Sequence, residues 1–329
     1  MTTGSAQRRP AFLITIDTEG DNLWEATDRI ETRNAAFLSR FQALCEKYGF
    51  KPTWLTNYEM ASDPVFVEFG RDVLRRGQGE IGMHLHAWNS PPIKPLTEDD
   101  HRYRPYLIEY PDHVMRDKIA FMTDLLEDTF GVKMLSHRAG RWAFDERYAR
   151  MLVEFGYRVD CSVTPGISWK DCLGAPAGKG GSDYSKFPTK IYRLDLNNVR
   201  LQGESPLLEV PMTILPSRIK ALAPFIYKLP LIRRFANKLS IPDLWLRPLD
   251  PDFFMLEKVV MRAFERGDNY VEFMLHSSEL MPAGSGRFSS DDTVELLYEN
   301  IERLFVLLSE KVDGKVLSEI DATYISGWN

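Results

Sequence analysis

The sequence predicts an α/β protein built on a mostly parallel sheet, open or closed into a barrel. Two observations carry that expectation. Short β-rich apolar runs alternate with amphipathic helical stretches through the first half of the chain, and strands alternating with helices build parallel sheets. Reactive side chains also recur where those runs end, and in a parallel barrel the strand C-termini share one face.

The elements follow in order. Residues 11–17 (AFLITID) form a β-rich run that stops abruptly in acid. Residues 32–48 have helical character and lead to a turn at Gly49, and 52–56 (PTWLT) give a second strand. A helix is expected over 63–76 and a third strand over 80–84. The segment 112–130 places Met115, Ile119, Met122 and Leu126 on one helical face, with Gly131 as its stop. Further strands are expected at 133–137, 158–163, 207–211 and 270–276. A last long helix begins near Asp292, which with Glu295 resembles a capping box.

The stretch 166–251 breaks this rhythm. Its first part is rich in Gly, Pro and Ser and reads as a long loop. Its second part, 214–249, is apolar and basic, with Arg218, Lys220, Lys228, Arg233, Arg234, Lys238 and Arg247 set against little acid. The expectation is one domain over 10–329 with 166–251 as an insertion or cap within it.

The chain has 329 residues, 44% hydrophobic and 27% charged, enough apolar material for a sizeable core. A net charge of -6 argues against nucleic acid as the main partner. Three cysteines, Cys45, Cys161 and Cys172, match no disulfide framework or zinc knuckle. No apolar stretch precedes the first strand and no apolar run spans a bilayer, so a cytoplasmic protein is expected.

Four segments carry chemistry. In ITIDTEGD, Asp17 and Glu19 stand two apart at a strand end. In GMHLHAWNSPP, His84 and His86 are separated by one residue, so an extended backbone turns both imidazoles to one side, where they can share a cation. One carboxylate added to this pair makes a facial ligand set with open positions; zinc suits it, and cobalt, nickel, manganese or iron would also be held. SHRAGRW places Arg138 and Arg141 beside Trp142, and a guanidinium next to a carboxylate keeps a general base ionised and oriented. Trp88 and Trp142 are candidate stacking walls for a sugar ring, with core packing the alternative. In FMLHSSEL, His276 is suited to protonating a leaving amine. A serine hydrolase elbow, G-x-S-x-G, does not occur.

Taken in order, ITIDTEGD, KPTWLTN, EIGMHLH, SHRAGRW and FMLHSSEL resemble the motifs of the polysaccharide deacetylase superfamily, also called the NodB-homology or carbohydrate esterase family four fold. The resemblance covers roughly 11–165 and resumes over 205–280. Two positions depart from the family: Thr18 follows Asp17 where a second aspartate is usual, and Trp88 stands four after His84 where the second histidine is usual. The H-x-H spacing is similar to a divergent branch associated with polysaccharide biosynthesis. The resemblance implies an irregular barrel of about seven strands, a (β/α)7 type. It implies Asp17 as general base held by Arg138, His276 as general acid, and His84 as metal ligand with Glu19 and His86 as companions, leaving open whether Asp17 or Glu19 is the carboxylate ligand. Arg141, Trp88 and Trp142 would contact substrate. The activity implied is metal-dependent removal of an N-acyl group from an amino sugar, nucleotide- or polyprenyl-linked. Two rivals stand beside it. One is a deformylase or deacetylase of a lipid-linked amino sugar, brought to the inner face of the membrane by 214–249. The other is a non-catalytic carbohydrate-binding protein.

Overall fold

The computed structural model describes residues 9–325 apart from 26, 28, 217–242 and 249–252. Twelve strands follow in chain order: β1 (Ala11–Thr18), β2 (Pro52–Thr56), β3 (Glu80–Leu85), β4 (Ser136–Ala139), β5 (Val159–Asp160), β6 (Tyr192–Asp195), β7 (Asn198–Gln202), β8 (Leu208–Glu209), β9 (Ile214–Leu215), β10 (Leu244–Trp245), β11 (Tyr270–His276) and β12 (Asp313–Lys315). The main sheet runs β11-β1-β2-β3-β4-β5-β8-β6-β7, with β12 added to β1. Every pairing from β11 to β8 is parallel, whereas β6 and β7 run antiparallel.

The first half follows from local chemistry. All eight residues of β1 are buried, as are all of β2 and β3, which is how strands covered on both faces of a parallel sheet read. The longer helices are α1 (Leu38–Lys47), α2 (Pro64–Arg75), α3 (Asp112–Phe130), α4 (Glu146–Glu154), α5 (Phe253–Glu265) and α6 (Asp291–Leu308). Helix α2 starts where Asp63 accepts from the Val65 and Phe66 amides, with Pro64 as its first residue. Helix α3 stops at Gly131, whose φ of 69° is the left-handed geometry glycine adopts without strain.

The sheet curls back on itself. The β11 amide of Glu272 donates to Thr213 Oγ1 at 2.8 Å, and the Tyr270 hydroxyl donates to Pro211 O at 2.5 Å. Leu246, just after β10, accepts from the Met274 amide and donates to Thr213 O. Residues 211–213 and 246 thereby line the gap between β8 and β11.

Several expected boundaries move. The strand expected at 133–137 is Ser136–Ala139, so Arg138 lies inside it. The one expected at 158–163 pairs only at Val159–Asp160, because the Ser162 and Val163 amides are taken by side chains, Asp160 Oδ2 and Glu209 Oε1. The last helix is capped by Ser290 with Thr293, not by Asp292 with Glu295; Glu295 instead pairs with Arg40. Strands β6 and β7 lie within 166–251 yet belong to the main sheet. Residues 217–242, which hold six of the seven basic side chains noted above, lie outside the described residues. No helix among the described residues is long and apolar enough to cross a membrane.

Candidate metal centre and active site

Parallel pairing brings the site together. In the sheet register Asp17 is level with His276, and His84 is level with Arg138. All four side chains reach the C-terminal face, where Glu19 and His86 join them from the loops after β1 and β3.

Glu19, His84 and His86 are buried and offer ligand atoms all within 4.8 Å of one another. His84 Nδ1 donates to the Arg138 carbonyl at 2.9 Å, which aims its Nε2 into the cluster; burial lowers the pKa of this ring, but Asp17 and Glu19 outweigh that and raise it. That Nε2 is 3.0 Å from His86 Nε2 and 3.5 Å from Glu19 Oε2, and His86 Nε2 is 2.9 Å from the same carboxylate oxygen. Burial pushes His86 down to about 4, so it is a neutral imidazole at pH 7. Two imidazole nitrogens and a carboxylate oxygen this close call for a positive charge among them, and the donor set fits a divalent transition metal. Glu19 is the carboxylate of the group. Its other oxygen accepts from Trp24 Nε1 at 2.9 Å, while Ser277 and Asn34 fasten its backbone.

Asp17 is held differently. Its Oδ1 accepts from Arg138 at 2.6 Å, while Oδ2 faces His84 Nε2 at 3.9 Å and His276 Nε2 at 3.8 Å. Burial would raise its pKa, but Arg138, His84 and His276 outweigh that, and Asp17 lies below its ordinary value. Burial opposes ionisation of Glu19 too; His276, His84 and His86 hold it well below its ordinary value. Arg138, fully buried, also binds Thr15 Oγ1 at 2.8 Å and Glu272. Opposite, His276 Nε2 is 3.6 Å from Glu19 Oε1, and its Nδ1 meets Arg247 at 2.7 Å. Arg247 also pairs with Glu279, which accepts from the His276 amide.

No family model matches the chain, and no curated protein does. Solved structures do. A protein described as a polysaccharide deacetylase from Mycobacterium smegmatis is 14% identical with a TM-score of 0.53, the match covering 96% of this chain and 91% of that one. A protein described as a glycoside hydrolase/deacetylase from Parabacteroides distasonis is 10% identical with a TM-score of 0.63, over 95% and 70%. The chain has the polysaccharide deacetylase fold. A 4-alpha-glucanotransferase from Thermococcus litoralis is also similar, at 14% identity and TM-score 0.51, over 98% of this chain and 41% of that one. The deacetylase fold therefore fixes the architecture, and the reaction has to be argued from side chains.

On that fold, Asp17, Glu19, His84, His86, Arg141, Trp142 and His276 line one cavity of about 270 Å³. Arg138 sits beneath it, behind Asp17. Trp88 does not line it: at 4% exposure it packs on His86 and Trp24, with ring centroids 4.5 and 5.7 Å away, so it supports the His86 ring from behind. Arg141 lines the cavity, yet its guanidinium is spent on the carbonyls of Arg104 and Leu173. Trp24, Tyr106, Trp169 and Cys172 complete the wall and were not singled out in sequence, where lone aromatics in loops carry no spacing. Glu272 was missed as well, although an acid inside the apolar strand YVEFMLH signals a buried partner.

Proposed function

We propose that this chain is a metal-dependent amide hydrolase that removes an N-acyl group from an amino sugar. The observation that carries the reading is the meeting, on one cavity, of a three-ligand cluster, a carboxylate held by a buried arginine, and a histidine on the opposite side. Pure binding has no use for that combination.

Glu19, His84 and His86 would hold the metal, which when bound supplies Lewis-acid polarisation of the amide carbonyl and activation of water. Asp17 acts as general base. Arg138 occupies Oδ1 and keeps the carboxylate ionised, leaving Oδ2 to take the proton of the attacking water. His276 stands across from that oxygen and delivers a proton to the departing nitrogen from Nε2. The products are a free amine and a short carboxylic acid, acetate or formate. The aromatic wall suits a pyranose, whose C–H faces pack on rings while its hydroxyls seek polar atoms.

Metal content is the deciding measurement. About one transition metal per chain is expected in the wild type and none in His84→Ala, whereas Asp17→Asn retains the metal and loses roughly 10²–10⁴-fold in turnover of N-acetyl or N-formyl amino sugars. A wild-type protein that takes up no zinc, cobalt or nickel would sink the hydrolase reading.

A further inference from the structure

We infer that the cavity takes one amino-sugar ring, free or at the end of a longer molecule, and excludes the internal units of a polymer. The hydrolase reading supplies the chemistry here; the size and closure of the pocket stand independently of it.

Size comes first. The cavity holds about 270 Å³, just under the roughly 300–1,000 Å³ of sites that enclose drug-sized ligands. That suits one sugar ring with its acyl group.

Closure comes second, and it is covalently remote but continuous. Trp24, after β1, is held through its carbonyl by Arg104, whose guanidinium lies 5.7 Å from the Trp24 ring centroid. Arg104, after β3, offers its own carbonyl to Arg141. Arg141, after β4, bonds Leu173 O at 2.9 Å and lies 4.0 Å over the Tyr106 ring. Tyr106 in turn donates to Cys172 O at 2.7 Å, next to Leu173 in the loop after β5. Four loops from four strands are thus tied edge to edge, with Trp24, Tyr106, Trp142 and Trp169 facing the cavity they enclose. A polymer lying across the catalytic groups needs a trench open at both ends, and this strap bars one of them.

The other end is open. Glu19, Trp24 and His276 are shared with a second groove of about 450 Å³, lined by Arg33, Arg247, Ser278 and Ser285 among others. Among the described residues this is the exit the cavity opens into, and whatever the reacting sugar is attached to leaves by it, so the sugar itself is terminal. Arg141 is a specificity-determining residue in this arrangement, because the strap turns on its guanidinium.

Binding is tested separately from turnover. Zinc-loaded wild-type protein is titrated, by tryptophan fluorescence, with N-acetylglucosamine, N-acetylgalactosamine and N-acetylmannosamine, and with the β-1,4-linked tetramer of N-acetylglucosamine. At least one monosaccharide is expected to bind saturably, with the tetramer no more than about ten-fold tighter than its own monomer. Trp169→Ala is expected to weaken the monosaccharide about ten-fold or more, with Trp24→Ala as the alternative should the first fail to fold. Mass spectrometry of tetramer incubated with the enzyme should show loss of a single acyl group. A tetramer bound far more tightly than monomer, removal of several acyl groups, or no binding of any probe would each overturn the inference. Saturable monosaccharide binding without hydrolysis would uphold the pocket and count against the hydrolase reading alone.

Discussion

Gly140 shows how a residue without a side chain shapes the Glu19–His84–His86 cluster. A Cβ at this position would overlap the Leu85 carbonyl oxygen and stand 2.7 Å from His86 Nδ1. Gly140→Ala must therefore displace either the end of β3 or the His86 ring. The expected outcome is weaker metal binding, about ten-fold or more, with His84, His86 and Glu19 all intact, measured by competition with a chelating dye. An unchanged affinity would mean that β4 yields instead of the ring. At this scale the sequence was informative where chemistry is periodic. H-x-H put two imidazoles on one side of an extended chain, and Asp17 and Glu19 both reached the site although one is in β1 and the other beyond it. Roles that depend on contacts between distant loops were illegible. Trp88, for which the sequence left a stacking wall and core packing both open, packs on His86 and Trp24, while Arg141 lines the cavity and also ties two loops together.

Helix α6 makes the same point for whole elements. Its apolar spacing was clear in the sequence, with Val294, Leu297, Ile301, Leu304 and Leu308 all buried. Its start was displaced, because Asp292 and Glu295 imitate a cap that Ser290 and Thr293 provide. Ser290→Ala should cost about 1 kcal/mol in urea unfolding, whereas Asp292→Ala should fall within about 0.5 kcal/mol. Equal losses would restore the original reading of the helix start. Short elements were legible only as longer runs or not at all: β5 and β8 fall inside the strands expected at 158–163 and 207–211, whereas β9 and β10 were not expected. Strands β5, β8, β9 and β10 have two residues each, too few to show any alternation, and the hairpin β6–β7 was hidden inside a stretch whose Gly, Pro and Ser content spoke for loop. Long buried strands such as β1 announce themselves; two-residue pairings are decided by the tertiary fold around them.

Across the whole molecule, Arg138 joins strands that are not neighbours. It rises from β4 and grips Asp17 on β1 and Glu272 on β11, on the far side of the curled sheet. Arg138→Met leaves two buried carboxylates without their cation, and a loss of about 3–5 kcal/mol in urea unfolding is expected. A loss below 1 kcal/mol would show that the two acids simply take up protons. Glu272 makes the sign of the pH dependence calculable. Burial raises its pKa from 4.5 to about 7 against the pull of Arg138, and one of its oxygens has no hydrogen-bond partner. The folded state thus binds the Glu272 proton more tightly than the unfolded chain. The stability this contributes is complete below pH 4.5 and is lost as pH rises through 7, at a rate approaching about 1.4 kcal/mol per pH unit. Glu272→Gln keeps an acceptor for Arg138 and Thr15 and removes the titration, so unfolding free energy should fall less steeply between pH 4.5 and 7 in the variant. Some slope should survive, since Glu59, raised to about 7 by burial, titrates in the same sense. Parallel slopes in the two proteins would mean that Glu272 binds its proton equally in both states, with the pull of Arg138 offsetting its burial in full.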